Sequence, residues 1–146
     1  YVLNAENVTV RGNRIKRAAH SGVRGKAASN LQIISNIVND VGDVGLYSEF
    51  GFEGAVIANN TINGAALGVA VVNFNEGGRL AVVQGNLIRN LKSTRPIGAT
   101  SNDSAGAGVG IAVEADAAVT GNVVEHAPAS SWAGGNICAT SPLPET

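Results

Sequence analysis

Two glutamates, Glu49 and Glu114, are the residues of this 146-residue chain whose spacing suits catalysis. Each lies four residues after a glycine, Gly45 or Gly110, that opens an apolar segment. If these segments stack two coils apart, strand spacing alone separates the two residues by roughly 9.6 Å. That value lies near the upper end of the range for the acid and base of an inverting glycosidase. The alternative is that both are ordinary solvated carboxylates on an exposed face.

Several side chains near this pair would suit binding of a sugar chain. Tyr47 would stack on a sugar ring, and neighbouring cations would contact the carboxylates or hydroxyls of an acidic sugar. The remaining candidates for substrate contact are Arg24, Lys26, Asn73, Asn75, Glu76, Arg79 and Asp116. Glu114 and Asp116 with a backbone carbonyl could instead hold Ca²⁺, the one cofactor that the residues suggest. Alternatively, Tyr47 packs against Phe50, Phe52 and Phe74 at the edge of a coil.

The elements that position these residues follow from a repeated pattern centred on asparagine. The asparagines are Asn13, Asn36, Asn60, Asn86 and Asn122. Apolar residues precede each by five and three positions and follow it by two, which predicts two short strands joined by a tight turn. We expect the asparagine to adopt the left-handed conformation at this turn and its amide to bond the amides above and below, as a structural ladder.

A second repeated feature is a glycine followed by an apolar residue, which predicts a third strand in each coil. The glycines are Gly22, Gly45, Gly68 and Gly110. The sequence therefore predicts an all-β fold, a right-handed parallel β-helix of about five coils with three short strands per coil. Strand alternation predicts that even offsets from each glycine face outward, so Tyr47, Glu49 and the small Ala70 and Ala112 would form a shallow open groove.

Residues 1–139 are predicted to form a single β-helix domain, followed by a Pro-rich tail at 140–146. The last four residues, Leu143–Thr146, resemble a sortase recognition motif without its final glycine. A cloning remnant and a plain tail are both open interpretations. With no terminal cap predicted, we expect the coils to self-associate end to end.

Composition narrows the function classes. The net charge is −1, and the basic residues between Arg11 and Lys26 and between Arg79 and Arg95 lack interleaved aromatics, which argues against a nucleic-acid partner. No apolar run is long enough to insert into a membrane, and no signal peptide opens the chain. Cys138 is the single cysteine, which excludes an intrachain disulfide and a multi-cysteine metal site.

Three stretches of the chain resemble a known family: residues 46–60, residues 72–82 with the string Asn-Phe-Asn-Glu-Gly-Gly-Arg, and residues 110–116. They are similar to the twin-arginine-translocated repeat proteins of alphaproteobacteria, within the pectin-lyase-like superfamily of right-handed parallel β-helices. The resemblance extends over about residues 7 to 128. It implies export in folded form, a periplasmic or secreted location and contact with carbohydrate, and it supplies no catalytic residues.

Two functional hypotheses follow. In the first, the protein binds a polysaccharide or cell-surface glycan along the outward face of the glycine-led strands and, as a lyase or hydrolase, cleaves it with Glu49 and Glu114. In the second, the repeats form a non-catalytic scaffold or adhesion module, or part of a larger β-helix protein. Catalysis therefore stays open at this point.

Overall fold

The computed structural model describes residues 1–72, 79–96, 107–125 and 137–139, and in these ranges the chain is built from β-strands and turns. The strands form three sheets. Sheet 1 consists of β1 (Val2–Leu3), β4 (Val23–Lys26), β7 (Val44–Glu49), β10 (Leu67–Val72), β13 (Val109–Val113) and β16 (Ile137–Ala139). Sheet 2 consists of β2 (Thr9–Arg11), β5 (Leu31–Ile34), β8 (Glu53–Ala58), β11 (Arg79–Gln84) and β14 (Ala117–Thr120). Sheet 3 consists of β3 (Arg14–Lys16), β6 (Ile37–Asn39), β9 (Thr61–Asn63), β12 (Leu87–Arg89) and β15 (Val123–Val124).

Each strand pairs in parallel with the strand three positions further along the chain, so the three sheets are the walls of one stacked coil. The glycine-led strands keep their register from coil to coil: Val23 pairs with Leu46, Leu46 with Val69, and Val69 with Ile111. The predicted all-β parallel solenoid with three strands per coil is confirmed.

The tight turn between sheets 2 and 3 differs from the prediction in one respect. The left-handed residue is the one before each ladder asparagine, not the asparagine itself. These residues are Gly12 (φ 71°), Ser35 (57°), Asn59 (56°), Gly85 (64°) and Gly121 (61°). The preceding residue makes the reversal, so the asparagine side chain stays free to follow the coil axis.

The predicted ladder of asparagine side chains is confirmed, and Asn60 shows its geometry. Asn60 Nδ2 donates to Asn86 Oδ1 at 2.9 Å and to the Ile33 carbonyl at 2.9 Å. Its Oδ1 accepts from the backbone N–H of Asn36 at 2.9 Å and from Asn36 Nδ2 at 3.1 Å. The same pattern links Asn13 to Asn36 and Asn86 to Asn122. Buried backbone groups at the turn are thereby satisfied without water.

The glycine column has a steric cause. A Cβ on Gly45 would lie 2.6 Å from the carbonyl oxygen of Gly68 and 2.8 Å from Ile62 Cγ2. A Cβ on Gly22 would meet the carbonyl oxygen of Gly45 at the same distance of 2.6 Å. Successive coils therefore approach each other too closely here for any side chain.

Two apolar clusters hold the coils together. The first fills the coil interior with residues such as Ile33, Leu46 and Ile57, all at most 1% exposed. The second lies on the outer side of sheet 1 and consists of Val44, Tyr47, Ala66, Leu67, Ala70, Val72, Ala107, Val109 and Ala112. The outer cluster changes the interpretation of the predicted groove.

Candidate functional site

The outer face of sheet 1 was predicted to be an open groove, and this prediction is wrong. Tyr47, Ala70 and Ala112 form one column, as predicted, but they are 1%, 0% and 3% exposed. Glu49 is also buried, at 1% exposed. Alternation along the strands predicted correctly which side chains leave the coil. It carried no information about whether that side of the sheet is covered.

Arg24, Tyr47 and Glu49 are brought together on this face, as the sequence predicted. Arg24 Nε donates to Glu49 Oε1 at 2.5 Å, and Nη2 forms an ion pair with the same oxygen. The Arg24 guanidinium lies 5.2 Å from the centroid of the Tyr47 ring and 5.8 Å from that of Tyr1. A planar guanidinium stacked between aromatic rings and paired with a carboxylate is a stable structural arrangement.

Lys26 and Glu114, the other predicted residues of this face, lie at its margins. Lys26 pairs in register with Glu49, and its Nζ lies 5.2 Å from the centroid of the Phe50 ring. Val72 pairs with Glu49, and Val71 with Val113, so Glu114 falls in the column of Glu49 two coils away, as expected. Glu114 is half-buried. A role of the two glutamates as acid and base stays a prediction.

The other predicted contacts are separated from this face or fall outside the described residues. Asn73, Asn75 and Glu76 lie outside them, as does the tail Leu143–Thr146. Arg79 belongs to β11 in sheet 2, where its backbone pairs with Glu53. Asp116 is exposed and lies at a groove on sheet 2.

That groove is a shallow concavity of about 640 Å³ on the outer face of sheet 2. Its floor is one column of outward side chains from β5, β8, β11 and β14: Gln32, Val56, Val82 and Ala118. With a strand spacing of about 4.8 Å, this column extends over roughly 14 Å along the coil axis. Sequence reasoning missed it, although each of these residues lies four positions before a ladder asparagine.

One wall of the groove is formed by the turns that connect sheet 1 to sheet 2. These turns contribute Asn7, Asn30, Gly54, Leu80 and Asp116. Asn30 Nδ2 donates to Asn7 Oδ1 at 3.2 Å, which aligns the two amides along the wall. Leu80 is 69% exposed and has a left-handed backbone (φ 53°), so a large apolar side chain faces solvent beside the floor. The groove therefore combines an apolar floor with a polar, amide-lined wall.

Two further ion pairs lie at the turn that leads from sheet 3 into sheet 1. Arg95 Nε is 2.7 Å from Oδ1 of the buried Asp43. Lys92 Nζ donates to Asp40 Oδ1 at 2.9 Å and to the Val41 carbonyl at 2.9 Å. The hydrogen bond from Lys92 is the main cause that lowers the pKa of the Asp40 carboxyl, and the charges of Arg17 and Lys16 lower it further.

Neither a metal centre nor a membrane span is found among the described residues. No three His, Cys, Asp or Glu side chains in those ranges are grouped as a metal site. The same part of the chain contains no helix long and apolar enough to cross a membrane. The Ca²⁺ site at Glu114 and Asp116 and the end-to-end self-association both stay predictions.

Stacked parallel strands, an interior asparagine ladder and a three-sheet coil together define a parallel β-solenoid. The family model of the right-handed β-helix region matches residues 1–88, and the chain belongs to that family. Searches of curated proteins and of solved structures gave no significant match. The narrower resemblance to twin-arginine-translocated repeat proteins stays a prediction.

Proposed function

We propose that this β-helix binds a polysaccharide chain in the groove over sheet 2 and does not cleave it there. The observation that carries the proposal is the groove itself, a straight concavity that crosses four strands. An elongated, open groove fits an extended polymer better than a compact small molecule, which a protein usually encloses.

The chemistry of the groove supports a sugar ligand. Val56 and Val82 offer a flat, half-buried apolar floor, against which the apolar face of a sugar ring packs. The amides of Asn7, Asn30 and Gln32 offer both donors and acceptors, which suit hydroxyl groups. The groove therefore has the two kinds of contact that a neutral or weakly charged sugar needs.

Binding without cleavage is favoured by the single carboxylate of the site. Asp116 is the one acidic residue among the described lining residues of the groove. Glycoside hydrolysis needs a pair of carboxylates that flank the scissile bond. On sheet 1, Glu49 is engaged by Arg24 and buried beneath a covered face. An extracytoplasmic location, which the family resemblance implies, completes the proposal.

Bulky substitutions on β14 test the proposal. Ala118→Trp fills the groove, whereas Thr120→Trp places the same side chain on the same exposed face but outside the lining. Binding of both variants to a panel of neutral and acidic polysaccharides is measured by calorimetry and affinity electrophoresis. We expect at least about tenfold weaker binding for Ala118→Trp, a loss of about 1.4 kcal/mol, and little change for Thr120→Trp.

Circular dichroism establishes that both variants keep the fold. Equal affinity of Ala118→Trp and the wild type would contradict binding in this groove. If the wild type binds nothing in the panel, the non-catalytic scaffold becomes the better hypothesis.

A further inference from the structure

The outer face of sheet 3 contains two straight rows of side chains that the groove does not use. The first row, in strand register, is Lys16, Asn39, Asn63 and Arg89, and the second is Arg14, Ile37, Thr61 and Leu87. We call these two rows the sheet 3 strip. The first row has a cation at each end and two amides between them. With strand spacings of about 4.8 Å, its ends are roughly 14 Å apart.

The amides of the first row form an exterior ladder. Asn90 Nδ2 donates to Asn63 Oδ1 at 2.6 Å, and Asn63 Nδ2 donates to Asn39 Oδ1 at 3.3 Å. An Asn amide has two N–H donors, and within the described residues Asn39 Nδ2 donates to no protein atom. The strip therefore presents a fixed line of N–H donors to solvent, which continues toward Lys16.

The cations of the strip differ from the other basic side chains because no carboxylate neutralises them. In the described ranges the ion pairs are Arg24 with Glu49, Lys92 with Asp40, and Arg95 with Asp43. Arg14, Lys16 and Arg89 are exposed, and none of them belongs to one of these pairs. Arg17, at the end of β3, is likewise exposed and outside these pairs.

The surrounding charges define the limits of this positive region. The lowered pKa of the Asp40 carboxyl, which Arg17 and Lys16 help to cause, agrees with a positive potential beside β3. Glu125, whose Oε2 accepts from the Asn90 N–H at 2.9 Å, places a carboxylate just beyond Arg89. The favourable region for an anion therefore extends from β3 to β12 and ends there.

We propose that the sheet 3 strip is a second binding site, whose ligand is a linear anionic polysaccharide. Carboxylates of the ligand pair with Arg14 and Lys16 at one end and with Arg89 at the other. Its hydroxyls accept from the exterior amides, and its ring faces contact Ile37, Thr61 and Leu87. This inference does not depend on the groove over sheet 2, because the two sites lie on different sheets.

A polysaccharide fits the strip better than a nucleic acid does. Both are polyanions, but single-stranded nucleic acids gain much of their affinity from bases stacked on aromatic side chains. The strip contains aliphatic and amide groups and no aromatic residue. Amides and a flat aliphatic row match the hydroxyls and ring faces of a sugar instead.

Single-charge variants of the first coil test the proposal. Arg14→Gln removes a cation of the strip, and Arg11→Gln removes an equally exposed cation of the same coil on sheet 2. Affinity for polygalacturonate is measured by calorimetry between low and physiological salt. We expect about threefold to fivefold weaker binding for Arg14→Gln, as for loss of one exposed ion pair, and a shallower salt dependence. Arg11→Gln should bind as the wild type does.

Three further arms make the result specific. Arg89→Gln should weaken binding as Arg14→Gln does, and Asn63→Ala should weaken it without a change in salt dependence. A neutral dextran should not compete. Ala118→Trp should leave polygalacturonate binding unchanged, which separates a failure of the strip from a failure of the groove. Equal losses for Arg11→Gln and Arg14→Gln, or equal or tighter binding of single-stranded RNA, would overturn the proposal.

Discussion

Two asparagine ladders follow the coils of this β-helix, one inside the coil and one outside. The interior ladder runs through Asn36, Asn60 and Asn86, each 1% exposed, and its amides satisfy buried backbone groups. The exterior ladder joins Asn39, Asn63 and Asn90, which remain in contact with solvent. Residue type and spacing are the same, but burial differs.

The difference teaches that burial decides what an amide ladder does. Inside the coil, no water can replace a lost partner, so each amide is required for stability. Outside, water satisfies whatever the protein does not, and the free N–H groups remain available for a ligand. The interior ladder is therefore a structural element, and we regard the exterior ladder as part of a binding surface.

The largest expected effect comes from Asn60→Ala. This change removes the acceptor of the Asn36 N–H and the donor to the Ile33 carbonyl, and both groups stay buried. At about 1 to 3 kcal/mol for each orphaned group, the free energy of unfolding should fall by roughly 3 to 5 kcal/mol. Chemical denaturation followed by circular dichroism measures this change.

Asn63→Ala is the matched control, since it removes the equivalent exterior amide. Its hydrogen bonds to Asn39 and Asn90 face solvent, so we expect a loss of at most about 0.5 kcal/mol. Similar losses for Asn60→Ala and Asn63→Ala would contradict the assignment of separate roles to the two ladders.

An intermediate effect is expected for Glu49→Gln, which extends the comparison to charged groups. The change leaves the Arg24 guanidinium without its carboxylate, although Arg24 is 25% exposed and can recover some hydration. We expect a loss of about 1 to 3 kcal/mol in the free energy of unfolding, less than for breaking a fully buried pair.

Glu114→Gln serves as the control, because Glu114 lies in the same column but is half-buried. It should change the stability by no more than about 0.5 kcal/mol. The same two variants test catalysis when reducing ends and unsaturated products are followed over a polysaccharide panel. Wild-type turnover that either variant abolishes would establish an enzyme and contradict a purely binding role.

Sequence reasoning found the interior ladder because its spacing is tied to apolar positions that must face the coil. The exterior ladder has nearly the same spacing, with Asn39 and Asn63 each three residues after a ladder asparagine. It was missed because exposed positions tolerate any polar residue, so Lys16 and Arg89 interrupt the column. A repeated polar type at one outward offset was the available signal.

The covered face of sheet 1 could not be predicted for a different reason. Tyr47 and Glu49 obey the alternation that takes them out of the coil, and their columns were predicted correctly. Their burial depends on packing against the outer side of the sheet, which no periodicity within a strand encodes. The left-handed turn residue was misassigned because Gly and Asn both tolerate that conformation, although Gly12, Gly85 and Gly121 marked the correct position.

The smallest expected effect concerns the exposed pair of Asp40 and Lys92, which lies beside the exterior ladder. Lys92 holds the folded-state pKa of the Asp40 carboxyl below its unfolded value. The pair therefore stabilises the fold above the ordinary carboxyl pKa of about 4, and this contribution is lost as pH falls through the lower folded value. Asp40→Asn keeps the left-handed backbone tolerance at φ 53° and removes the charge. We expect a small stability difference from the wild type at pH 6 that disappears near pH 2 and weakens in high salt, measured by denaturant titration at each pH. A difference that persists unchanged in acid would mean that the side-chain shape, not the charge, stabilises this turn.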